Sequence, residues 1–252
     1  MGRKEDIEKI RVHDRSGRVT KGRKQAAQDA AAGNKDFDMD DGSNEFCPPD
    51  EAGWNFAALS PASARDKIMI AASHLFCNHG FAATGIDAIL NRAGTAKATL
   101  YHHFRSKEDL IIAVLEAEGE TWRTWFFGRL SEVEGPARTR ILAVFDVLEE
   151  WFSDKAFYGC AFINAVAECD AANSAVHRAA DLHKEHLLTW LKAQTMEMKI
   201  PDVVETARSL AVLIDGAIVA AQHTRDPSFA QTARRLAECH LDAVTPAPKR
   251  KA

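Results

Sequence analysis

The chain has 252 residues, 46% of them hydrophobic, so it can bury a substantial core and divide into more than one domain. No apolar run approaches the length of a membrane span, and the charged N-terminal residues lack the apolar core of a signal peptide, so we expect a cytoplasmic protein. The five cysteines form no CxxC pair, which argues against a disulfide framework and a structural zinc site. The net charge of −4, taken alone, argues against nucleic-acid binding.

The charge is unevenly distributed along the chain. Residues 1–24 carry nine basic and four acidic side chains, residues 25–60 carry one and eight, and residues 61–110 carry six and four. Because residues 1–58 are polar and switch from basic to acidic, we predict that they form a disordered extension. The alternative interpretation is a basic arm that contacts DNA phosphates without sequence preference.

Residues 59–108 have the spacing of three short helices followed by the start of a fourth. Ser60-Pro61 is predicted to begin the first helix, because serine caps a helix N-terminus and proline suits its first turn. Gly80 is predicted to end that helix, since glycine tolerates the positive φ that often follows a helix. Thr84, with Asp87 three residues later, is predicted to cap the second helix.

The next turn and the two helices after it are predicted from the same kinds of residue. Gly94 is predicted to make a sharp turn into a third helix over Ala96–Phe104. Ser106, with Asp109 three residues later, is predicted to cap a long fourth helix that reaches about Leu130. A short helix held at a steep angle by its predecessor is the arrangement that a helix-turn-helix presents to the major groove of DNA.

The third helix has an apolar side and a polar side. Leu100 and Phe104 are predicted to anchor it on the core. The side chains left facing outward can reach base edges or phosphates, and they are Lys97, Thr99, Tyr101 and His102. Lys107 lies in the first turn of the fourth helix, where a cation is poorly placed for the helix dipole, so a phosphate contact is predicted to account for it.

The string FAATGIDAILNRAGTAKATLYHHFRSKEDLIIAVL, residues 81–115, resembles the DNA-binding signature of TetR/AcrR-type transcriptional regulators. The resemblance covers about residues 64–115 and weakens beyond them. It implies an all-helical homodimer whose two heads each bind half of a pseudo-palindromic operator, and a body pocket whose small-molecule ligand moves the heads out of register. The DNA contacts that it implies are Thr84, Lys97, Thr99, Tyr101, His102 and Lys107.

Two positions depart from the family pattern. Ala96 stands where the family commonly has serine as the cap of the third helix, a loss that costs about 1 kcal/mol unless Thr95 substitutes. Ala98 stands where glycine is common, and its methyl group could contact a thymine methyl. Both departures bear on base preference rather than on DNA binding itself.

Residues 109–244 are predicted to form a helical body for ligand binding and dimerisation, and residues 245–252 a flexible tail. No stretch has the pattern of a strand. The predicted fold is all-α, with a helix-turn-helix three-helix head, a C-terminal helical body and about nine helices in total. The helices predicted for the body after the fourth are Arg138–Ser153, Cys160–Ala172, Ser174–Met196, Asp202–His223 and Ser228–Ala243.

Large aromatic side chains are concentrated over residues 115–195. Core packing is the ordinary role of such residues, and a cavity between helices is the alternative, which the resemblance favours. The bound effector would then be apolar or aromatic. The residues predicted to form the cavity wall are Trp122, Phe126, Phe145, Phe162 and Trp190.

The last two predicted helices carry apolar stripes rich in small residues, which permit close packing of helices. Two such helices from each subunit would form a four-helix bundle, so they are predicted to be the homodimer surface. Burial of both stripes inside one subunit is the alternative. The predicted interface residues are Leu210, Ile214, Ile218, Leu236 and His240.

Two further groups suggest other chemistry. Cys160 could act as a redox sensor, although a small buried thiol is the commoner role. His177, Asp181 and Glu185 share a helical face that could hold a metal, although a solvated stripe is commoner. Without a nucleophile elbow, a phosphate-binding glycine loop or a metal signature, we predict no enzyme activity, no cofactor and no metal. The predicted function is a ligand-responsive repressor that binds operator DNA; the alternatives are a helical ligand-binding adaptor without DNA affinity and an enzyme that uses Cys160 or His177.

Overall fold

The computed structural model describes residues 63–169 and 175–246, and within these ranges the regular structure is entirely helical, which confirms the predicted all-α class. The predicted extension over 1–58, the Ser60-Pro61 pair and residues 247–252 of the predicted tail lie outside these ranges. In chain order the helices are α1 Ala64–His79, α2 Ile86–Ala93, α3 Lys97–His103, α4 Lys107–Ser131, α5 Ala137–Phe152, α6 Ala161–Glu168, α7 Ala175–Glu197, α8 Val203–Thr224 and α9 Phe229–Val244.

Helix α1 begins one turn later than predicted. Its N-cap is Ser63, whose hydroxyl oxygen accepts a 3.4 Å hydrogen bond from the backbone N–H of Asp66. Gly80 ends the helix with φ +85°, as predicted. Gly94 ends α2 in the left-handed region, with φ +62°, and its N–H points back at the last carbonyls of the helix. These two glycines set the sharp turns between the first three helices.

The predicted capping box at Thr84 is wrong. Helix α2 begins at Ile86, and its N-cap is Gly85. Thr84 is instead 3% exposed, and its hydroxyl donates to the carbonyl oxygens of Gly80, at 2.6 Å, and Leu75, at 3.2 Å. The side chain therefore closes the turn after α1, because it satisfies carbonyls that the end of that helix leaves unpaired.

The predicted cap of α4 is confirmed. The Ser106 hydroxyl oxygen accepts from the N–H of Asp109 at 3.0 Å, and the Asp109 carboxylate accepts from the N–H of Arg105 at 3.1 Å. Helix α4 then continues for 25 residues to Ser131 without a break. It is therefore one continuous element that begins beside α3 and runs through the body to an exposed end.

Helices α5, α7, α8 and α9 begin and end within one residue of the predicted positions. Helix α6 is shorter than predicted, because Cys169 adopts an extended conformation and the helix stops at Glu168. In the body, α9 packs on α5 and α8, and α7 packs on α4, α5, α6 and α8. Helices α2 and α3 pack on α1, and α1 packs on α4. Across the described ranges, every helix is too short or too polar to cross a membrane.

The contact between α1 and α4 contains a buried carboxyl group. Glu118 is 7% exposed and is the one acidic or basic residue that is buried among those described. Its Oε1 accepts from the Ser73 hydroxyl of α1 at 2.6 Å, and its Oε2 accepts from the Tyr158 hydroxyl in the connection before α6. Desolvation raises the pKa of Glu118 to about 7, although both hydrogen bonds act to lower it. One carboxyl group thus joins α1, α4 and the segment after α5.

We expect Glu118 to make folding stability depend on pH between about 4.5 and 7. Because its pKa is raised in the folded chain, the folded state binds the proton more tightly than the unfolded state, and stability is lost as pH rises through this range. Glu118→Gln removes the titration and retains the shape. From pH 5 to pH 8, the free energy of unfolding of the wild type should fall relative to that of the variant by about 2 to 3 kcal/mol. Urea unfolding followed by circular dichroism measures this difference.

The comparison with Glu118→Gln is needed because His183 acts in the opposite direction. The pKa of His183 is lowered to about 3 by desolvation and by the charges of Arg123, Lys184 and His186. Its contribution to the free energy of unfolding therefore increases as pH rises from about 3 to 6.5. That contribution is common to both proteins and cancels. Parallel pH profiles for the two proteins would contradict the assignment of the shift to Glu118.

Candidate nucleic-acid interface and ligand cavity

Helix α3 has the two sides that the sequence predicts. Leu100 is fully buried and Phe104 is 4% exposed, and both lie in the core beneath the helix. Tyr101 is 47% exposed, a large fraction for an aromatic side chain that follows a buried leucine. The exposed side chains of this helix are Lys97, Ala98, Tyr101, His102 and His103, and Thr99 is half-buried.

Contacts at both ends fix the orientation of α3. At its C-terminal end the guanidinium of Arg65 lies 5.3 Å from the centre of the Phe104 ring, a cation–π contact with α1. At its N-terminal end the Lys97 ammonium lies 3.7 Å from the Asp87 carboxylate of α2. Both partners of that pair are mostly exposed, so it stabilises the head little and leaves Lys97 available to another anion.

The N-terminus of α3 lacks a side-chain cap. Ala96 occupies the N-cap position and forms no capping bond. Thr95 does not substitute for it, because within the described residues its hydroxyl oxygen is buried and has no hydrogen-bond partner. The departure from the family pattern at Ala96 is therefore uncompensated.

Two of the six predicted DNA contacts, Thr84 and Lys107, donate hydrogen bonds to main-chain carbonyl oxygens of the protein. The Thr84 hydroxyl is buried and closes the turn after α1, so it offers no side-chain group at the surface. The Lys107 ammonium donates to the carbonyl oxygen of Ala82 at 3.1 Å, and partial burial lowers the pKa of Lys107, opposed by Glu168 and Cys169. The position of Lys107 is thus explained without a phosphate.

Both main-chain polar groups of Ala82 are hydrogen-bonded to distant side chains. Its N–H donates to the Glu168 carboxylate at 2.7 Å, while its carbonyl accepts from Lys107. Gly80 allows this approach, because a Cβ atom there would stand 2.9 Å from the same carboxylate. The last residue of α6 is therefore hydrogen-bonded to the turn that carries α2 and α3.

A cavity of about 50 Å³ lies between α4, α5, α7, α8 and the segment that leads into α6. Its wall is mainly aromatic and aliphatic, with Trp122, Trp151 and Phe162 as the large members. Gly119 allows Phe162 to approach α4, since a Cβ atom there would stand 2.8 Å from the tip of the Phe162 ring. A mostly apolar wall with a few polar groups is the usual form of a small-molecule site.

Two of the five residues predicted for the wall line this cavity, and three lie elsewhere. Trp122 and Phe162 line the cavity. Phe126 and Phe145 are fully buried in the core, and the Trp122 ring stacks on that of Phe126 at 4.4 Å. Trp190 contacts Phe127 instead, with ring centres 6.4 Å apart.

The polar residues of the cavity were not predicted from the sequence. Glu118, Tyr158, His183 and Lys184 all line it. His183 stacks on Phe162 with ring centres 4.0 Å apart and is held neutral by its lowered pKa, while the Lys184 ammonium is paired with Asp215. Glu118 and His183 could have been identified from the sequence, because each lies three or four residues from apolar residues on the buried face of its helix.

Neither Cys160 nor the group of His177, Asp181 and Glu185 has the surroundings that redox or metal chemistry needs. Cys160 is 7% exposed beside the cavity, and burial raises the pKa of its thiol, which is the opposite of what a reactive cysteine needs. Within the described ranges, no three histidine, cysteine or acidic side chains come close enough to share a metal, His177, Asp181 and Glu185 included.

The predicted dimer residues are divided between two locations. Leu210, Ile214 and Ile218 are buried inside the subunit, and the two isoleucines line the cavity, so they cannot form an outer surface. Leu236 is 54% exposed and His240 is half-buried. The outward side of α8 carries Val212, Gly216 and Val219, and that of α9 carries Leu236, Cys239 and Ala243.

Sequence comparisons connect the head with known regulators. Residues 68–114 match the family model of bacterial regulatory proteins of the tetR family. The repressor KstR2 of Mycolicibacterium smegmatis is 37% identical over 73 residues, 29% of this chain and 34% of that protein. The activator FasR of the same species is 48% identical over 52 residues, 21% of this chain and 24% of that protein. The repressor NemR of Escherichia coli is 31% identical over 108 residues, 42% of this chain and 54% of that protein. The chain thus spans about a quarter to a half of these relatives.

Structural comparison extends the similarity to the body. The crystal structure of a TetR-family transcriptional regulator from Streptomyces coelicolor is 31% identical, with a TM-score of 0.66, and the match covers 73% of this chain and 96% of that one. A second crystal structure, of a protein from Streptomyces avermitilis, is 25% identical with the same TM-score, over 72% and 98% of the two chains. Head and body therefore match together, and the chain belongs to the TetR family of transcriptional regulators.

Proposed function

We propose that this protein is a repressor that binds operator DNA as a homodimer through α3 and releases it when an apolar or aromatic effector enters the cavity. The observation that carries the proposal is the exposure of Lys97, Tyr101 and His102 on a short helix whose Leu100 and Phe104 are buried. Thr99, which is half-buried on the same helix, is the fourth DNA contact in this proposal. In this proposal residues 59–108 are the DNA-binding head and residues 109–244 the ligand-binding and dimerisation body.

The chemistry of these side chains suits a DNA groove. Lysine forms an ion pair with a phosphate or bonds to a guanine edge, and tyrosine and histidine can donate to backbone oxygens. The net charge of −4 is no obstacle, because the acidic residues are concentrated elsewhere in the chain. Repression is preferred to activation because KstR2 and NemR are named repressors, although FasR is named an activator.

Dimerisation would use the outward sides of α8 and α9. Val212, Gly216 and Val219 recur at four- and three-residue spacing on α8, and a Cβ atom on Gly216 would meet no described residue within 4 Å. Leu236 is the large apolar residue on the outer side of α9. Small and apolar residues in this pattern let a second helix pair approach closely, and two half-operators require a two-fold symmetric protein.

The DNA proposal is tested by selecting binding sites from a random duplex library and measuring affinity for the selected duplex by fluorescence anisotropy. We expect Lys97→Ala to weaken binding and to make the salt dependence of the affinity less steep by about one unit on a log–log plot, because one phosphate neutralisation is lost. Lys199→Asn is the matched control. It removes one positive charge at the far end of α7, where φ is +58° and asparagine is tolerated, and should bind as the wild type does.

Equal salt slopes for the wild type and Lys97→Ala would remove Lys97 from the interface. If the library yields no enriched duplex at all, the alternative of an adaptor without DNA affinity is favoured instead.

The dimer proposal is tested by sedimentation equilibrium. We expect the wild type to have twice the 27.7 kDa mass of the chain, and Val212→Glu or Leu236→Glu to shift it toward the monomer, because each places a charge in an apolar interface. Leu182→Glu is the control, since Leu182 is 69% exposed on α7 rather than on α8 or α9, and the change should leave the mass unaltered. A monomeric wild type, or variants that remain dimeric at micromolar concentration, would contradict this interface.

A further inference from the structure

The Glu118 carboxyl group lies where the cavity meets the head. It lines the cavity, and its two oxygens accept from the hydroxyl groups of Ser73 on α1 and Tyr158 on the cavity wall. Ser73 itself is 2% exposed, so this bond is shielded from water. A ligand that reaches Glu118 therefore reaches a group that is bonded directly to the first helix of the head.

A second polar atom in this region has no hydrogen-bond partner among the described residues. Trp122 is one helical turn after Glu118 on α4, lines the same cavity, and has a buried indole N–H that makes no hydrogen bond to any described residue. A buried N–H without an acceptor costs free energy, which an acceptor on a ligand would recover. The pair of an acceptor at Glu118 and a donor at Trp122 matches one small group, a hydroxyl, because a hydroxyl both donates and accepts.

The remaining surroundings restrict the charge and shape of the ligand. Lys184 is already paired with Asp215, and Arg123 lies 3.3 Å from the neutral His183 ring, so the cations of this region have partners within the protein. Desolvation raises the pKa of Glu118 to about 7, so at neutral pH the carboxyl carries only part of a negative charge and holds a cationic ligand weakly. Trp122, Trp151 and Phe162 offer flat apolar faces.

We propose that the effector is a neutral aromatic molecule carrying a hydroxyl group, which takes the place of the Tyr158 hydroxyl on Glu118, accepts from Trp122, and turns the carboxyl away from Ser73. The loss of the bond to Ser73 frees α1 to move relative to α4. This inference rests on the proposed function for its second half, the response of the head, while the ligand chemistry stands on the cavity alone.

The ligand chemistry is tested with two probes of nearly equal shape, 2-naphthol and 2-methoxynaphthalene, by isothermal titration calorimetry on the full chain. The wild type should bind 2-naphthol roughly tenfold more tightly or more, because only it can donate to the carboxyl. Glu118→Met keeps an unbranched side chain of similar length but accepts no strong hydrogen bond, and should reduce this preference to about twofold or less. Trp122→Phe, which keeps a ring and removes the N–H, should weaken 2-naphthol binding and provides a second measurement if Glu118→Met does not fold.

Three results would overturn this part. They are the absence of binding of both probes to the wild type, equal affinity of the wild type for the two probes, and an undiminished preference in Glu118→Met. None of these measurements involves DNA, so a failure of the proposed DNA binding leaves them interpretable.

The link to the head is tested with Ser73→Ala and the selected duplex. In the wild type, saturating 2-naphthol should weaken DNA binding roughly tenfold; in Ser73→Ala this response should fall to about twofold or less, while the preference for 2-naphthol over its methyl ether persists. Ser131→Ala, at the exposed far end of α4, is the control and should respond like the wild type. An unchanged response in Ser73→Ala would remove the Ser73–Glu118 bond from the coupling, and absence of DNA binding in every protein would instead refute the proposed function.

Discussion

The packing of α1 against one unbroken helix, α4, is the constraint on which the rest of this structure depends. With 25 residues and a rise of 1.5 Å each, α4 is about 38 Å long. Its first turn is fixed beside α3 by the Ser106 cap, its middle carries Glu118 against α1, and its later turns carry Trp122 and Phe126 into the body. Side chains that line the cavity and side chains that hold the head therefore belong to one continuous helix.

Most helix boundaries could be predicted from the sequence because the signals that set them are local. Ser106 and Asp109 are three residues apart, and the bonds between them need no distant partner. Thr84 was assigned wrongly by the same rule, because its hydroxyl meets carbonyls at the end of α1 that only the folded turn brings near it. Glu168, the last residue of α6, is a similar case. Its carboxylate accepts a hydrogen bond from the N–H of Ala82, which is 86 residues away in sequence.

The positions of apolar side chains were less predictable, because hydrophobic spacing says that a face is buried but not what covers it. On α8, the stripe of Leu210, Ile214 and Ile218 satisfies the pattern of an interface and lies inside the subunit, while Val212 and Val219 lie outside. The aromatic residues show the same ambiguity, since Phe126 fills the core and Trp122, four residues earlier, lines the cavity. Polar residues on the inner faces of α4 and α7, Glu118 and His183, distinguish a cavity from ordinary core better than aromatic content does.

The hydrogen bonds at Ala82 leave its side chain free to vary. Both bonds that Ala82 makes to distant side chains use its main-chain atoms, the N–H to Glu168 and the carbonyl oxygen to Lys107, while its methyl group is exposed. Nineteen of the twenty amino acids supply the same N–H and carbonyl. Proline alone has no N–H to donate, so position 82 tolerates nearly any side chain and still docks the turn on α6, with proline as the single exception.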